Sequence, residues 1–233
     1  MRIIKFDSQQ KYNMKLKVII TGATGMVGEG VLQESISNPN VEKILLINRK
    51  PSGYTHPKVE EILHSDFSNI SALTSQVGGY DACFFCLGVS SIGMSEEQYT
   101  KVTYDLTLGF AKTMAEVNPQ MTFCYVSGAS TDSTEKGKQM WARVKGKTEN
   151  DLMKLPFKAV YNFRPGFMKP TKGAKNIKSF FKFINAIYPV LRAISSTYFL
   201  TLEEVGKAMI NAALRGYPKH VLEVGDIKKL SIG

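Results

Sequence analysis

The sequence predicts an α/β fold, a doubly wound parallel sheet with helices on both faces, and three observations carry that expectation. Short β-rich runs alternate with longer stretches of helical periodicity. Several of the β runs are apolar at nearly every position, the pattern of strands covered on both faces. The first of them runs directly into a glycine-rich turn that opens a helical stretch. The β runs fall at residues 16–21, 43–48, 59–64, 82–87, 121–127 and 159–164, with a last one near 221–224. Between them, residues 29–37, 95–118, 141–154 and 202–214 carry apolar side chains at helical spacing, so the units read as βαβ.

The 233 residues suit a single domain of this class with a small C-terminal extension on the substrate side. The expected division is an N-terminal extension over residues 1–14 and one domain over 15–233, with a lid at 169–200. A hydrophobic share of 43% and a charged share of 21% allow a sizeable core and exclude disordered and fibrous classes. The net charge of +10 suits an anionic partner. No RNA-binding aromatic motif, zinc-finger spacing or separate basic arm is present, so nucleic acid is not the expected partner. Cys83, Cys86 and Cys124 are odd in number and lie in apolar runs, which argues for a reducing compartment and a cytoplasmic protein. Cys83 and Cys86 spell a redox or metal pair, but strand alternation sends them to opposite faces. His56, His64 and His220 are scattered and read as exposed polar residues, and no metal site is expected. Residues 180–200 are interrupted by Lys182, Pro189 and Arg192 and make a poor membrane span.

The turn Thr21-Gly22-Ala23-Thr24-Gly25-Met26-Val27-Gly28 carries the chemistry. A pyrophosphate must approach backbone closely, and a helix N-terminus offers it unpaired N–H groups and a positive dipole end. Gly22, Gly25 and Gly28 permit that approach, which makes the fold Rossmann-type and the ligand a nicotinamide dinucleotide. The second strand ends at Asn48-Arg49-Lys50, without the acid that would take a ribose 2′-hydroxyl. Arg49 can pair with a 2′-phosphate, so NADP(H) is preferred and NAD(H) remains possible.

These residues resemble the atypical short-chain dehydrogenase/reductase superfamily, over residues 15–226. The resemblance makes Gly22, Thr24, Gly25, Met26, Val27 and Gly28 the pyrophosphate loop and sets Asp66 and Phe67 beside the adenine. It sets Leu87 and Gly88 where the fourth strand passes under the cofactor, and Pro165 and Gly166, after Arg164, toward the nicotinamide. Residues 144–149 and 163–166 look closest to the Tat-interactive-protein-like, NAD-dependent epimerase/dehydratase-like branch. Reductases of this kind use Ser to hold the substrate carbonyl, Tyr to exchange the proton, and Lys to bind the ribose and lower the Tyr pKa. Ser127 matches the Ser and Lys145 the Lys. Trp141 stands where the Tyr belongs.

An indole N–H donates but does not exchange a proton in the working range, so Trp141 puts the ordinary mechanism in question. Tyr99, Tyr104, Tyr125 and Tyr161 are candidate substitutes, and Ser127 or a water relay could also cover the gap. Two functions stay open: an NADP(H)-dependent oxidoreductase or epimerase-like enzyme on a small carbonyl or hydroxyl compound, and a silent NADP(H)-binding protein that senses redox state or docks a partner. Ser127 lacks the nucleophile-elbow context, so acyl hydrolysis is not expected. The stretch 169–192 combines five lysines and Arg192 with Phe180, Phe181, Phe183 and Tyr188. It reads first as a solvated basic face, with a substrate-side lid or membrane-surface contact as alternatives, of which the membrane contact is the less expected. Helices 95–118 and 141–154 are those that form dimer faces in related enzymes, so a homodimer is possible.

Overall fold

In a computed structural model, which describes residues 15–169 and 199–232, the apolar runs become the strands of one parallel sheet. They are β1 (Leu16–Thr21), β2 (Val41–Asn48), β3 (Val59–Leu63), β4 (Ala82–Phe85), β5 (Thr122–Val126) and β6 (Ala159–Phe163). The short β9 (Val221–Leu222) completes the order β3-β2-β1-β4-β5-β6-β9. All six neighbouring pairs are parallel.

Alternation along each strand feeds two separate cores. Val18, Ile20, Ile44, Leu46, Phe84 and Phe163 face one core, and Ile19, Leu45, Ile47, Phe85, Phe123 and Tyr125 face the other. Helices α1 (Met26–Ser37), α6 (Leu202–Arg215) and α7 (Val224–Ile232) cover the first face. The short α2 (Thr74–Val77), α4 (Leu106–Val117) and α5 (Met140–Leu152) cover the second. The sheet is therefore doubly wound, as its sequence predicts. Cys83 joins one core and Cys86 packs against the other, in line with the alternation argument. Burial pushes the Cys86 thiol up to about 12, which leaves it unreactive.

Four details differ from the sequence reading. The stretch 95–118 is helical throughout but divides into α3 (Glu96–Thr100), a π-helical turn (Lys101–Asp105) and α4, and a capping box of Ser95 and Gln98 starts it. The last strand stops at Leu222 and a helix begins at Val224, where the Asp226 carboxylate accepts the Glu223 N–H at 3.3 Å. A small parallel pair, β7 (Phe167–Lys169) with β8 (Phe199–Thr201), was not expected, because three residues are too few to show a period. His56 and His64 are half-buried, and the His64 ring bonds the Asn69 carbonyl at 2.9 Å. The N-terminal extension 1–14 and nearly all of the expected lid lie outside the described residues.

Candidate active site

β1 and β4 are neighbours, while the chain leaves β1 toward β2 on the other side, so a crevice opens at their C-terminal ends. The glycine turn fills its floor. Gly22 has φ +72°, and a Cβ on it would lie 2.9 Å from the Cys86 backbone. A Cβ on Gly28 would lie 2.2 Å from the Gly22 carbonyl oxygen, so only glycine lets α1 start this close to the strand. The Gly25 N–H donates to the Gly22 carbonyl at 2.9 Å, and the first bond of α1 runs from the Glu29 N–H to the Gly25 carbonyl at 2.8 Å. The N–H groups of Met26, Val27 and Gly28 therefore have no helical acceptor, and no side chain caps them. Beside the start of the turn lies a cleft of about 540 Å³, lined by Gly22, Thr24, Arg49, Lys50, Phe67 and Leu87. An uncapped helix N-terminus, a close-packed glycine turn and two cations fit a phosphorylated dinucleotide.

The loop that bears the cations is fixed by residues the sequence reading did not single out. Buried Asn48 accepts the Ala23 N–H at 3.2 Å and donates through Nδ2 to Glu61 Oε1 at 2.8 Å. The same carboxylate oxygen accepts the Ser52 N–H at 2.9 Å. Tyr54 donates its hydroxyl to buried Glu29 at 2.6 Å, which ties the loop to α1. Asn48 could have been marked by its place at the strand end, but Glu61 reaches it only through the β2–β3 register.

Of the expected adenine pair, Phe67 is buried and stacks on Phe110 at 5.8 Å with its residue in the cleft wall. Asp66 accepts the Ser68 hydroxyl at 2.5 Å and its N–H at 3.0 Å, and these bonds hold its carboxyl below the usual range. Gly88 is exposed just past Leu87, with open space where a Cβ would stand. Pro165 accepts the Ala129 N–H at 2.9 Å, and Gly166 follows it, half-buried. Arg164, which precedes them, turns inward and does not line the cleft. Its Nε donates to buried Glu149 at 3.0 Å and its Nη1 to Glu223 at 3.1 Å. A guanidinium at that depth needs carboxylate partners, and α5 and the β9–α7 junction supply them.

Ser127 and Lys145 do come together: the Lys145 ammonium donates to the Ser127 carbonyl. The Ser127 hydroxyl is turned away, however, and donates to the Phe163 carbonyl at 3.0 Å, so its proton is already committed to β6. Burial pulls Lys145 down to about 8, against the opposing pull of Glu149 one helical turn further along. Trp141 is half-buried one turn before Lys145 on α5. None of the four candidate tyrosines fills the gap. Tyr104 donates to Asp151 at 2.8 Å, and Tyr161 bonds the Tyr217 backbone. Tyr99 and Tyr125 are buried, and burial raises both phenols.

The fold and the crevice define a nicotinamide-dinucleotide-binding protein of the doubly wound class. More narrowly, the NAD dependent epimerase/dehydratase family matches residues 18–141, more than half of the chain, and the chain belongs to that family. It is 28% identical over 209 residues to "Protein fmp52, mitochondrial" of Emericella nidulans, covering 85% of this chain and 87% of that one. It is 29% identical over 213 residues to "Protein FMP52, mitochondrial" of Candida glabrata, covering 88% of each. Among solved structures, the Bordetella bronchiseptica enzyme WbmF in complex with NAD+ superposes with a TM-score of 0.65 at 14% identity, covering 94% of this chain and 77% of that one. An NAD(P)-binding, oxidoreductase-like role follows from the family. The cytoplasmic location expected from the cysteines is overturned, since both relatives are named as mitochondrial proteins. Buried thiols argue only against an oxidising compartment and do not distinguish one reducing compartment from another.

Proposed function

We propose that the protein is an NADP(H)-dependent oxidoreductase or epimerase-like enzyme acting on a small carbonyl or hydroxyl compound. The observation that carries the cofactor preference is the pair Arg49 and Lys50 in the cleft lining, beside Asn48, whose amide accepts the Ala23 N–H and donates to Glu61; among the described residues no acid lines the cleft. Arg49 offers the planar fork that a 2′-phosphate accepts, and the Glu61 and Tyr54 anchors hold the loop in place before a ligand arrives. The bound dinucleotide would supply or take a hydride, and the N–H groups of Met26, Val27 and Gly28 would hold its pyrophosphate. Lys145, with donors to spare beyond the Ser127 carbonyl, would hold the ribose. Fluorescence titration with NADPH and NADH tests the preference, alongside Arg49→Ala. Loss of this contact should weaken NADPH by about 1.5–3 kcal/mol, roughly ten- to a hundredfold, and leave NADH nearly unchanged. Equal affinities of the parent protein for the two would refute it.

A second reading, a silent NADP(H)-binding protein that senses redox state or docks a partner, draws its support from Trp141 and from the inward Ser127 hydroxyl. Oxidation of NADPH in the presence of a carbonyl panel separates the two.

A further inference from the structure

We propose that Lys145 itself exchanges the proton with the substrate oxygen, in place of the phenol that Trp141 displaces; the proposal rests on the oxidoreductase reading above. Elimination and geometry carry it together. Trp141 cannot release and regain a proton, the Ser127 hydroxyl is spent on the Phe163 carbonyl, and the four candidate tyrosines are buried or bonded elsewhere. Lys145 has three N–H donors, and the Ser127 carbonyl engages one, just past the C-terminal end of β5, the strand beside β4. The residue is half-buried, and two of its three N–H donors remain for a ligand beyond the Ser127 carbonyl.

The surroundings keep that amine near the point of release. On its own helix Glu149 favours the charged form, but Arg164 from the end of β6 clamps Glu149 through Nε and Nη2. Glu223, at the β9–α7 junction, takes the other side of Arg164. Tyr125 of β5 and Tyr99 of α3 are buried phenols that keep their protons, and Asp151, Lys147 and Tyr104 satisfy one another on the outer side of α5. The Arg164 guanidinium thus offsets part of the Glu149 charge, and burial prevails, bringing the amine to about 8.

In carbonyl reduction, a bound reduced dinucleotide would supply the hydride with its two electrons to the carbonyl carbon, and the Lys145 ammonium would give one proton to the carbonyl oxygen. An alcohol and a neutral amine result, and the amine regains its proton from water. In the reverse direction the neutral amine accepts the hydroxyl proton. Reduction should therefore fall as pH rises through about 8, while alcohol oxidation should climb through the same point.

The test combines a titration that needs no turnover with a rate. Nitrogen-15 NMR of the lysine side chains, with the Lys145 signal assigned by its loss in Lys145→Arg, should show a midpoint near 8 in the NADPH-free protein. NADPH oxidation is then followed with an ortho-quinone, an aromatic aldehyde and a short ketone as probes. Lys145→Arg keeps the charge and the donors but holds its proton, so reduction at saturating NADPH should slow on the order of a hundredfold. Glu149→Gln should move the midpoint to lower pH, since it removes the group that favours the ammonium. A Lys145 midpoint above roughly 10, the ordinary lysine range, or a Lys145→Arg rate within about tenfold of the parent, overturns the proposal and leaves the oxidoreductase reading standing. A parent inactive on all three carbonyls overturns that reading and the proposal with it.

Discussion

Asn48 and Arg49 are adjacent in the chain and do different work. Asn48 turns its amide inward, between the Ala23 N–H and the Glu61 carboxylate, and by holding both it fixes the distance between the glycine turn and the loop after β2. Arg49 is exposed and lines the cleft beside the turn. Trp141 and Lys145 are similarly related, one helical turn apart, with one side chain unable to ionise and the other drawn toward neutrality by burial. Trp141→Tyr would place a phenol beside that ammonium. Exchange of one aromatic ring for another leaves the glycine turn and Arg49 untouched, so NADPH affinity should change by no more than about twofold. The pH profile of reduction should gain a second ionisation below the ordinary phenol value, since a neighbouring cation favours the phenolate. A profile of unchanged shape would mean that residue 141 does not share the reacting group with Lys145; activity in the variant alone would favour a silent parent.

At the scale of one element, β1, the glycine turn and α1 form a unit in which the three glycines have separate duties. Gly22 and Gly28 are required by the fold, because a Cβ on either would press against backbone at 2.9 Å or 2.2 Å. Gly25 is the helix N-cap, at φ −102°, where a substituent would meet only the Gly22 oxygen at 3.3 Å. Gly25→Val should therefore leave a folded domain at a cost of roughly 1 kcal/mol and abolish dinucleotide binding by crowding the free N–H groups. Circular dichroism and NADPH titration check the two halves. Undiminished binding would show that the turn only redirects the chain. The unit was legible in the sequence because strand, glycine spacing and helix are contiguous. The anchors of the neighbouring loop were not, since Glu61 and Tyr54 meet their partners from other elements.

Across the whole molecule, Arg164 joins parts that no single element connects. Its guanidinium links the end of β6 to α5 through Glu149 and to the β9–α7 junction through Glu223. Glu149 is fully buried, so Glu149→Ala leaves an arginine without its main partner and should cost about 3–5 kcal/mol in urea unfolding. The exposed pair Lys207 and Glu203 is the matched control, where Glu203→Ala should change stability by less than about 1 kcal/mol. Similar midpoints for the two variants would deny the buried pair its structural role.

Local patterns by themselves determined the seven strands, the two-faced cover and the glycine turn that opens α1. Period 2, period 3.6 and glycine spacing are properties of contiguous residues, and Leu16–Thr21 with its turn is the clearest case. The family resemblance, and not local pattern, singled out Ser127, Trp141 and Lys145 as a set; Trp141 and Lys145 share one helix and Ser127 follows the end of β5. Only the tertiary structure decided what those side chains do. It committed the Ser127 hydroxyl to Phe163, 36 positions away, sent Arg164 inward to Glu149 and Glu223, and left Lys145 with a carbonyl and a clamped carboxylate for company. Hydrogen-bond partners and desolvation depend on what the fold brings from distant parts of the chain, and no spacing along the sequence records them.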